Sequence, residues 1–289
     1  MNRIENRVLI IGHTGFLGSF LASALGRGSL SVDVVDRAVF DLAKPPTRDF
    51  SDFLEAGNFQ YAIICAAITD VEKCHRDQSL SEQVNVHGQR ALLGLLKQAG
   101  VIPVFFSSDY VFSGRSSPYL EDDNRNPTTV YGRQKLAIEN HLEANFEKRL
   151  VFRTSKLMSR TRHPRNILYP LIRDLAAGKV SRCAEDQRLT PVFIEDIAAA
   201  LTAAIRQDLS GTFHLGTRRV YTRAELGRFL ASSLGFEPKL IESIRLADIG
   251  TSEPRPTNNA LNCVKIEQAL DFSFLEIADS LPALRQLAD

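Results

Sequence analysis

The chain has 289 residues, 44% hydrophobic and 24% charged, with 35 basic and 34 acidic side chains leaving a formal net charge of +1. That composition is globular, and so even a balance sets up no long-range field to draw nucleic acid or an anionic membrane. No apolar run approaches the ~20 residues needed to span a bilayer, and MNRIENRVLIIGHTG runs into a strand without a signal peptide, so a cytoplasmic protein is expected.

RVLIIG at 7–12 is a short apolar run ending in glycine, as a buried parallel strand does. FLGSFLASALG follows with helical periodicity and closes on Gly26. SVDVVD at 31–36 and YAIICAA at 61–67 read as further strands. LSEQVNVHGQRALLGLLKQAG at 80–100 predicts one long helix with a glycine stop. VIPVFFSS at 101–108 is a fourth strand, RQKLAIENHLEANF a helix and KRLVFRTS at 148–155 a fifth strand. Strands alternating with helices predict a Rossmann-type α/β fold, a doubly wound parallel sheet.

Beyond residue 155 the pattern weakens. Residues 167–178 predict a helix, 190–205 a short strand into a helix, and 212–216 another strand. Residues 221–235 predict a helix in which Thr222 and Glu225 form a capping box. The length is near the upper limit for a single core. The expected division is a dinucleotide-binding domain over 1–155, rejoined by 190–216, with 156–289 mainly a smaller C-terminal α/β substrate lobe.

The glycine turn GHTGFLG at 12–18 lies between a strand and a helix. There Gly12 permits the tight turn, Gly15 lets backbone approach a pyrophosphate, and Gly18 lets helix and strand pack closely. Thr14, Phe16 and Leu17 complete the cradle, and His13 within it is a candidate phosphate contact. Asp36 ends the second strand, where a carboxylate accepts from adenosine ribose hydroxyls. Arg37 suits a 2′-phosphate instead, so the choice between NADPH and NADH stays open. Asp41 and Leu42 are placed beside the adenine. Ala66 and Ala67 are small enough for close passage of the cofactor. Asn85 is read as a hydrogen-bonding residue that fixes the catalytic helix.

Tyr131 and Lys135, four apart in VYGRQK, share one helix face. A lysine cation beside a phenol lowers the tyrosine pKa from its usual ~10, making a proton donor usable near neutral pH. The cysteines at 65, 74, 183 and 263 have no zinc-like spacing, Cys74-His75 included, and no metal site is expected.

Taken in order, GHTGFLG, DRAVFDL, CAAITDVEKC, VNVHG, FFSSDYVFSG, NPTTVYGRQKLAIE, FRTS, EDQRLTPVFIEDIA and RPTNNAL resemble the extended short-chain dehydrogenase/reductase family. Within it the chain resembles the dTDP-4-dehydrorhamnose reductase group. The resemblance implies a triad in which Tyr131 donates a proton, Lys135 binds the nicotinamide ribose, and Ser108 bonds the substrate carbonyl oxygen. It implies transfer of the 4-pro-S hydride of a reduced nicotinamide to the keto carbon of a nucleotide sugar.

Asp109 and Tyr110 would face the sugar. The related dehydratases carry Asp-Glu there, so Tyr110 argues for reduction over dehydration; epimerisation is less clearly excluded. Arg255, in the Arg255-Pro256 and Asn258 pattern, is a candidate for the substrate diphosphate. Lys156 stands where this group has tryptophan, and the chain has none. Alternatives are a non-catalytic dinucleotide-binding regulatory subunit, as in methionine adenosyltransferase, and a reductase or epimerase on a non-nucleotide substrate. The resemblance also makes a homodimer possible.

Overall fold

The computed structural model describes residues 7–28 and 30–288; Met1 to Asn6, part of the leaderless start expected above, lie outside the described residues. In chain order the first half is β1 (Arg7–Ile11), α1 (Phe16–Gly26), β2 (Ser31–Val35), α2 (Arg48–Gly57), β3 (Tyr61–Ile64), α3 (Val71–Arg76), α4 (Gln78–Glu82), α5 (Gln89–Gln98), β4 (Ile102–Ser108), α6 (Val130–Asn145) and β5 (Leu150–Thr154). There follow β6 (Leu157–Met158), α7 (Leu168–Ala176), β7 (Ser181–Ala184), β8 (Arg188–Leu189), β9 (Val192–Phe193), α8 (Ile194–Arg206), β10 (Gly211–Leu215), β11 (Tyr221–Thr222), α9 (Arg223–Leu234), β12 (Ile241–Ile244), α10 (Val264–Leu270) and α11 (Leu281–Arg285).

The central sheet runs β10-β5-β4-β3-β1-β2, with every pairing parallel. Alternate residues of each strand serve opposite faces. Val8, Ile10, Ile63, Val104 and Phe152 pack under α1 and α8 in one core. Leu9, Ile11, Ile64, Phe105 and Val151 pack under α2, α5 and α6 in the other. Each such side chain taken fully from water contributes about 1.5–3 kcal/mol, which is why these strands read as unbroken apolar runs. The chain leaves β1 toward β2 and returns to β3 on the other side. The C-terminal ends of β1 and β3 therefore flank the switch point where sheets of this kind bind ligands.

The long helix expected over 80–100 is present but not α-helical throughout. It opens as α4, passes through a π-helical turn at Gln83–Gly88 and continues as α5. Gly88 lets this helix lie against the loop after β2, since a Cβ there would lie 2.0 Å from the Leu42 carbonyl oxygen. Helix α2, capped by Thr47 Oγ1 accepting from Phe50 N at 3.3 Å, is an element the sequence reading lacks. So are α3 and the parallel pair of β7 with β12. The capping box of α9 is present: Glu225 N donates to Thr222 Oγ1 at 3.0 Å, and Thr222 N to Glu225 Oε2 at 2.8 Å. Among the described residues no helix is long and apolar enough to cross a membrane.

Candidate active site

The glycine turn follows β1. Gly12 has a φ of +90°, and a Cβ on it would meet Ala66 N at 2.6 Å. A Cβ on Gly18 would lie 2.2 Å from the Gly12 carbonyl oxygen, so α1 can start against the turn only with glycine there. A Cβ on Gly15 would make an ordinary 3.5 Å contact with Gly12 O, leaving the outer side open. Gly15 also caps α1 without a side-chain hydrogen bond, and the free N–H groups of such a first turn attract anions. The cradle thus fits a dinucleotide pyrophosphate. Phe16 and Leu17 turn their side chains into the core, so at the helix start they offer backbone only. The buried Phe16 ring stacks on His163 at 4.4 Å. Thr14 is exposed.

Asp36 is exposed and lies 3.4 Å from His13 Nε2. The Arg37 guanidinium, also exposed, pairs with Asp41 at 3.1 Å. The Ala43 N–H and the nearby Arg37 hold the Asp41 carboxyl below its ordinary pKa. Leu42 is buried. Ala66 and Ala67 are half-buried, and Gln89 Nε2 donates to the Ala66 carbonyl at 2.6 Å. Asn85 is 4% exposed and faces protein. Its Oδ1 accepts from Ile68 N at 2.8 Å, and its Nδ2 donates to Ile68 O at 2.9 Å and to Gln134 Oε1 at 2.8 Å. It ties the segment after β3 to α6.

The start of α6 is held by two acceptors. Thr129 Oγ1 accepts from Gly132 N at 3.1 Å, and Glu253, from far along the chain, accepts from Val130 N at 2.7 Å. This sets Tyr131 beside the end of β4, where Ser108 donates to Asp109 Oδ1 at 2.9 Å and accepts from Tyr110 N at 3.2 Å. The expected lowering of the Tyr131 pKa by Lys135 is not found. Burial, reinforced by the Asp109 charge, holds the phenol protonated well above its ordinary range, with a hydrogen bond to Ser108 opposing them. The Lys135 ammonium instead donates to Phe106 O at 2.7 Å and lies 5.8 Å from the centre of the Tyr131 ring. Burial lowers its pKa to about 8. Proximity along a helix specifies that two side chains share a face; it does not specify how much water each one loses.

Asp109 is buried, and burial pushes its carboxyl up against the opposing pull of Lys156. Ser155 donates to its Oδ2 at 3.0 Å. Tyr110 packs edge-on to Tyr131 at 6.0 Å, and Lys156 lies 5.5 Å from its ring centre. Arg255 donates to Glu72 at 2.9 Å, and the Glu72 carboxyl is drawn down to about 2, chiefly by the Ser252 hydroxyl and N–H. Asn258 is hydrogen-bonded to Ser117, and its neighbour Asn259 reaches the site, donating to Asp109 O at 3.2 Å. Ser155, Asn259, Gln134 and Glu72 were not legible as site residues. Only the twin asparagines in RPTNNAL carried a signal, one residue out of register.

A family model described as the RmlD substrate binding domain matches residues 6–287. The chain belongs to this family. A probable low-salt glycan biosynthesis reductase of Haloferax volcanii is 25% identical over 95% of this chain and 96% of its own. A dTDP-4-dehydrorhamnose reductase of Mycobacterium tuberculosis is 28% identical over 89% of this chain and 85% of its own. The crystal structure of dTDP-4-dehydrorhamnose reductase from Bacillus anthracis in complex with NADP superposes with a TM-score of 0.87 at 21% identity, covering 98% of this chain and 99% of that one. At that identity the superposition shows the fold alone.

Proposed function

We propose that the chain is an NAD(P)H-dependent oxidoreductase that reduces the keto group of a 4-keto-6-deoxy sugar nucleotide. The observation that carries this reading is the buried Tyr131 phenol, held protonated near Ser108 at the end of β4, with Lys135 of the same helix bonded to Phe106 O. A protonated phenol is the form that gives up a proton, and a reduced nicotinamide supplies the hydride. With the Ser108 hydroxyl turned from Asp109 to the substrate, Ser108 and Tyr131 aim two hydrogen bonds at the carbonyl oxygen as it gains charge, which favours the transition state over bound ketone. Lys135 positions the ribose and keeps a cation near the developing alkoxide.

The names of the Mycobacterium relative and of the NADP-bound Bacillus structure support this substrate class and cofactor. Tyr110, where a dehydratase base would stand, favours reduction. The reading includes a dinucleotide-binding part over 1–155 with 190–216, a substrate lobe from the rest, a cytoplasmic setting consistent with four free cysteines, and a homodimer, measurable by sedimentation.

The test is titration with NADPH and NADH, then with dTDP-, UDP- and GDP-linked 4-keto sugars, following nicotinamide fluorescence. The expected result is oxidation triggered by one sugar series. Tyr131→Phe should lose roughly 10²–10⁴-fold in turnover with NADPH binding retained. Unchanged turnover in that variant would sink the reading.

A further inference from the structure

Lys156 lies over one buried tyrosine on which Arg223 and Arg255 also act electrostatically. Tyr110 is 4% exposed, and its hydroxyl has no hydrogen-bond partner among the described residues. Its ring faces Tyr131 on one side and carries the Lys156 ammonium 5.5 Å from its centre. Backbone pairing brings the segment of Arg223 toward the same place. Asn259 holds the Asp109 carbonyl, while Asn259 N and Thr257 O pair with the backbone of Arg188 in β8. Arg188 pairs with Thr222 in β11, and Arg223 is the next residue. Arg223 and Arg255 both act electrostatically on Tyr110 and on Lys156.

Their partners separate the three. Arg255 is engaged with Glu72. Lys156 and Arg223 are half-buried, and among the described residues neither side chain has a hydrogen bond or a carboxylate within ion-pair distance. Asp109, the carboxylate that acts on Lys156, is already bonded by Ser108 and Ser155. Asp109 offsets the burial of Lys156 only in part, and Arg223 and the Tyr110 hydroxyl lose hydration without a hydrogen-bonded partner, unless an anion arrives with the ligand.

The geometry points to a specificity pocket in which Lys156, Arg223 and the Tyr110 hydroxyl hold a carboxylate carried on the sugar ring of the substrate. The pocket rests on the sugar-nucleotide keto-reductase reading above and sets an acidic sugar in place of the 6-deoxy one. The sugar is favoured over the diphosphate because Tyr110 lies edge-on to the proton donor Tyr131. An anion held there is close to the reacting carbon, whereas Arg255 stands with Glu72 on α3.

The test is calorimetric titration of the NADP⁺-loaded protein with glucose and glucuronate, each linked to UDP and to dTDP, and with the free nucleotides. Binding of the glucuronate ligands should be on the order of tenfold tighter than of the glucose ligands. The gap should close in Lys156→Met and Arg223→Met and persist in Lys156→Arg. Equal affinity for glucose and glucuronate ligands overturns the pocket and leaves the reductase reading standing. A Lys156→Met variant that weakens the free nucleotide as much as the glucuronate ligand puts the cation on the diphosphate, and overturns it too. If no nucleotide or sugar nucleotide binds, the sugar-nucleotide reading fails and the pocket with it.

Discussion

The Lys135 ammonium donates to the Phe106 carbonyl oxygen at 2.7 Å, tying α6 to the strand that ends in Ser108. The lysine is buried, which lowers its pKa to about 8. Its cation is therefore lost as pH rises through about 8. The expected outcome is a kcat/KM for the dinucleotide, which reports the free enzyme, that declines above about pH 8. In Lys135→Met the profile should be low and lack that limb. Stability moves the other way. The unfolded lysine binds more protons than the folded one between about 8 and its ordinary 10.5, so unfolding free energy rises with pH across that window. Chemical denaturation at pH 7.5 and 9.5 checks the sign.

Gly132 sits directly after Tyr131, and a Cβ on it would lie 2.2 Å from Tyr110 O. Gly132→Ala must move α6 or the Tyr110 turn. Misplacement of about 1 Å at a reacting group can cost roughly 10²-fold, so kcat should fall by about that factor. The dinucleotide cradle is built on α1 and should keep its affinity. Steady-state kinetics alongside NADPH titration separates the two.

Asn85 connects Ile68 to Gln134. Asn85→Ala leaves both backbone groups of Ile68 without this partner, at about 1–3 kcal/mol for each buried group left unsatisfied. A lower kcat with a lower Tm is expected. Asn85→Asp, which retains the acceptor for Ile68 N, should recover part of the kcat; no recovery would make Asn85 a purely structural residue.

Arg153 and Glu139 are each 1% exposed and joined by two hydrogen bonds, 3.0 and 2.8 Å. Removing one partner strands the other, at about 3–5 kcal/mol. Glu139→Leu should therefore unfold at much lower denaturant, and adding Arg153→Met should recover a large part of the loss. A double variant as unstable as the sum of the two singles would argue against the coupling.

His214 lies under the same cluster, 3.2 Å from Arg153, and burial holds its pKa down to about 3. The unfolded histidine binds a proton below its ordinary 6.5 and the folded one does not, so its contribution to stability is lost as pH falls from about 6.5 toward 3. His214→Phe should flatten that part of the stability profile.

The glycines at 12 and 18, the strands that fill the sheet and the spacing of Tyr131 and Lys135 could be read directly from the chain. Each is a local rule: a φ of +90° at Gly12, a side-chain period of two, a helical face. Asn85 was legible as a hydrogen-bonding residue that fixes a helix. That its partner is Gln134 was not.

Local chemistry thus determined the dinucleotide-type half of the sheet and singled out the candidate proton donor, because parallel strands, glycine turns and helix faces are specified by neighbouring residues. Only the tertiary structure decided the state of that donor and the shape of the substrate side. Burial beside Asp109 raises the Tyr131 pKa where helix spacing alone implied a fall. Glu253 and Asn259 reach α6 and Asp109 from more than a hundred residues away. Desolvation and long-range pairing depend on what the whole chain packs around a group, and no window of sequence contains that.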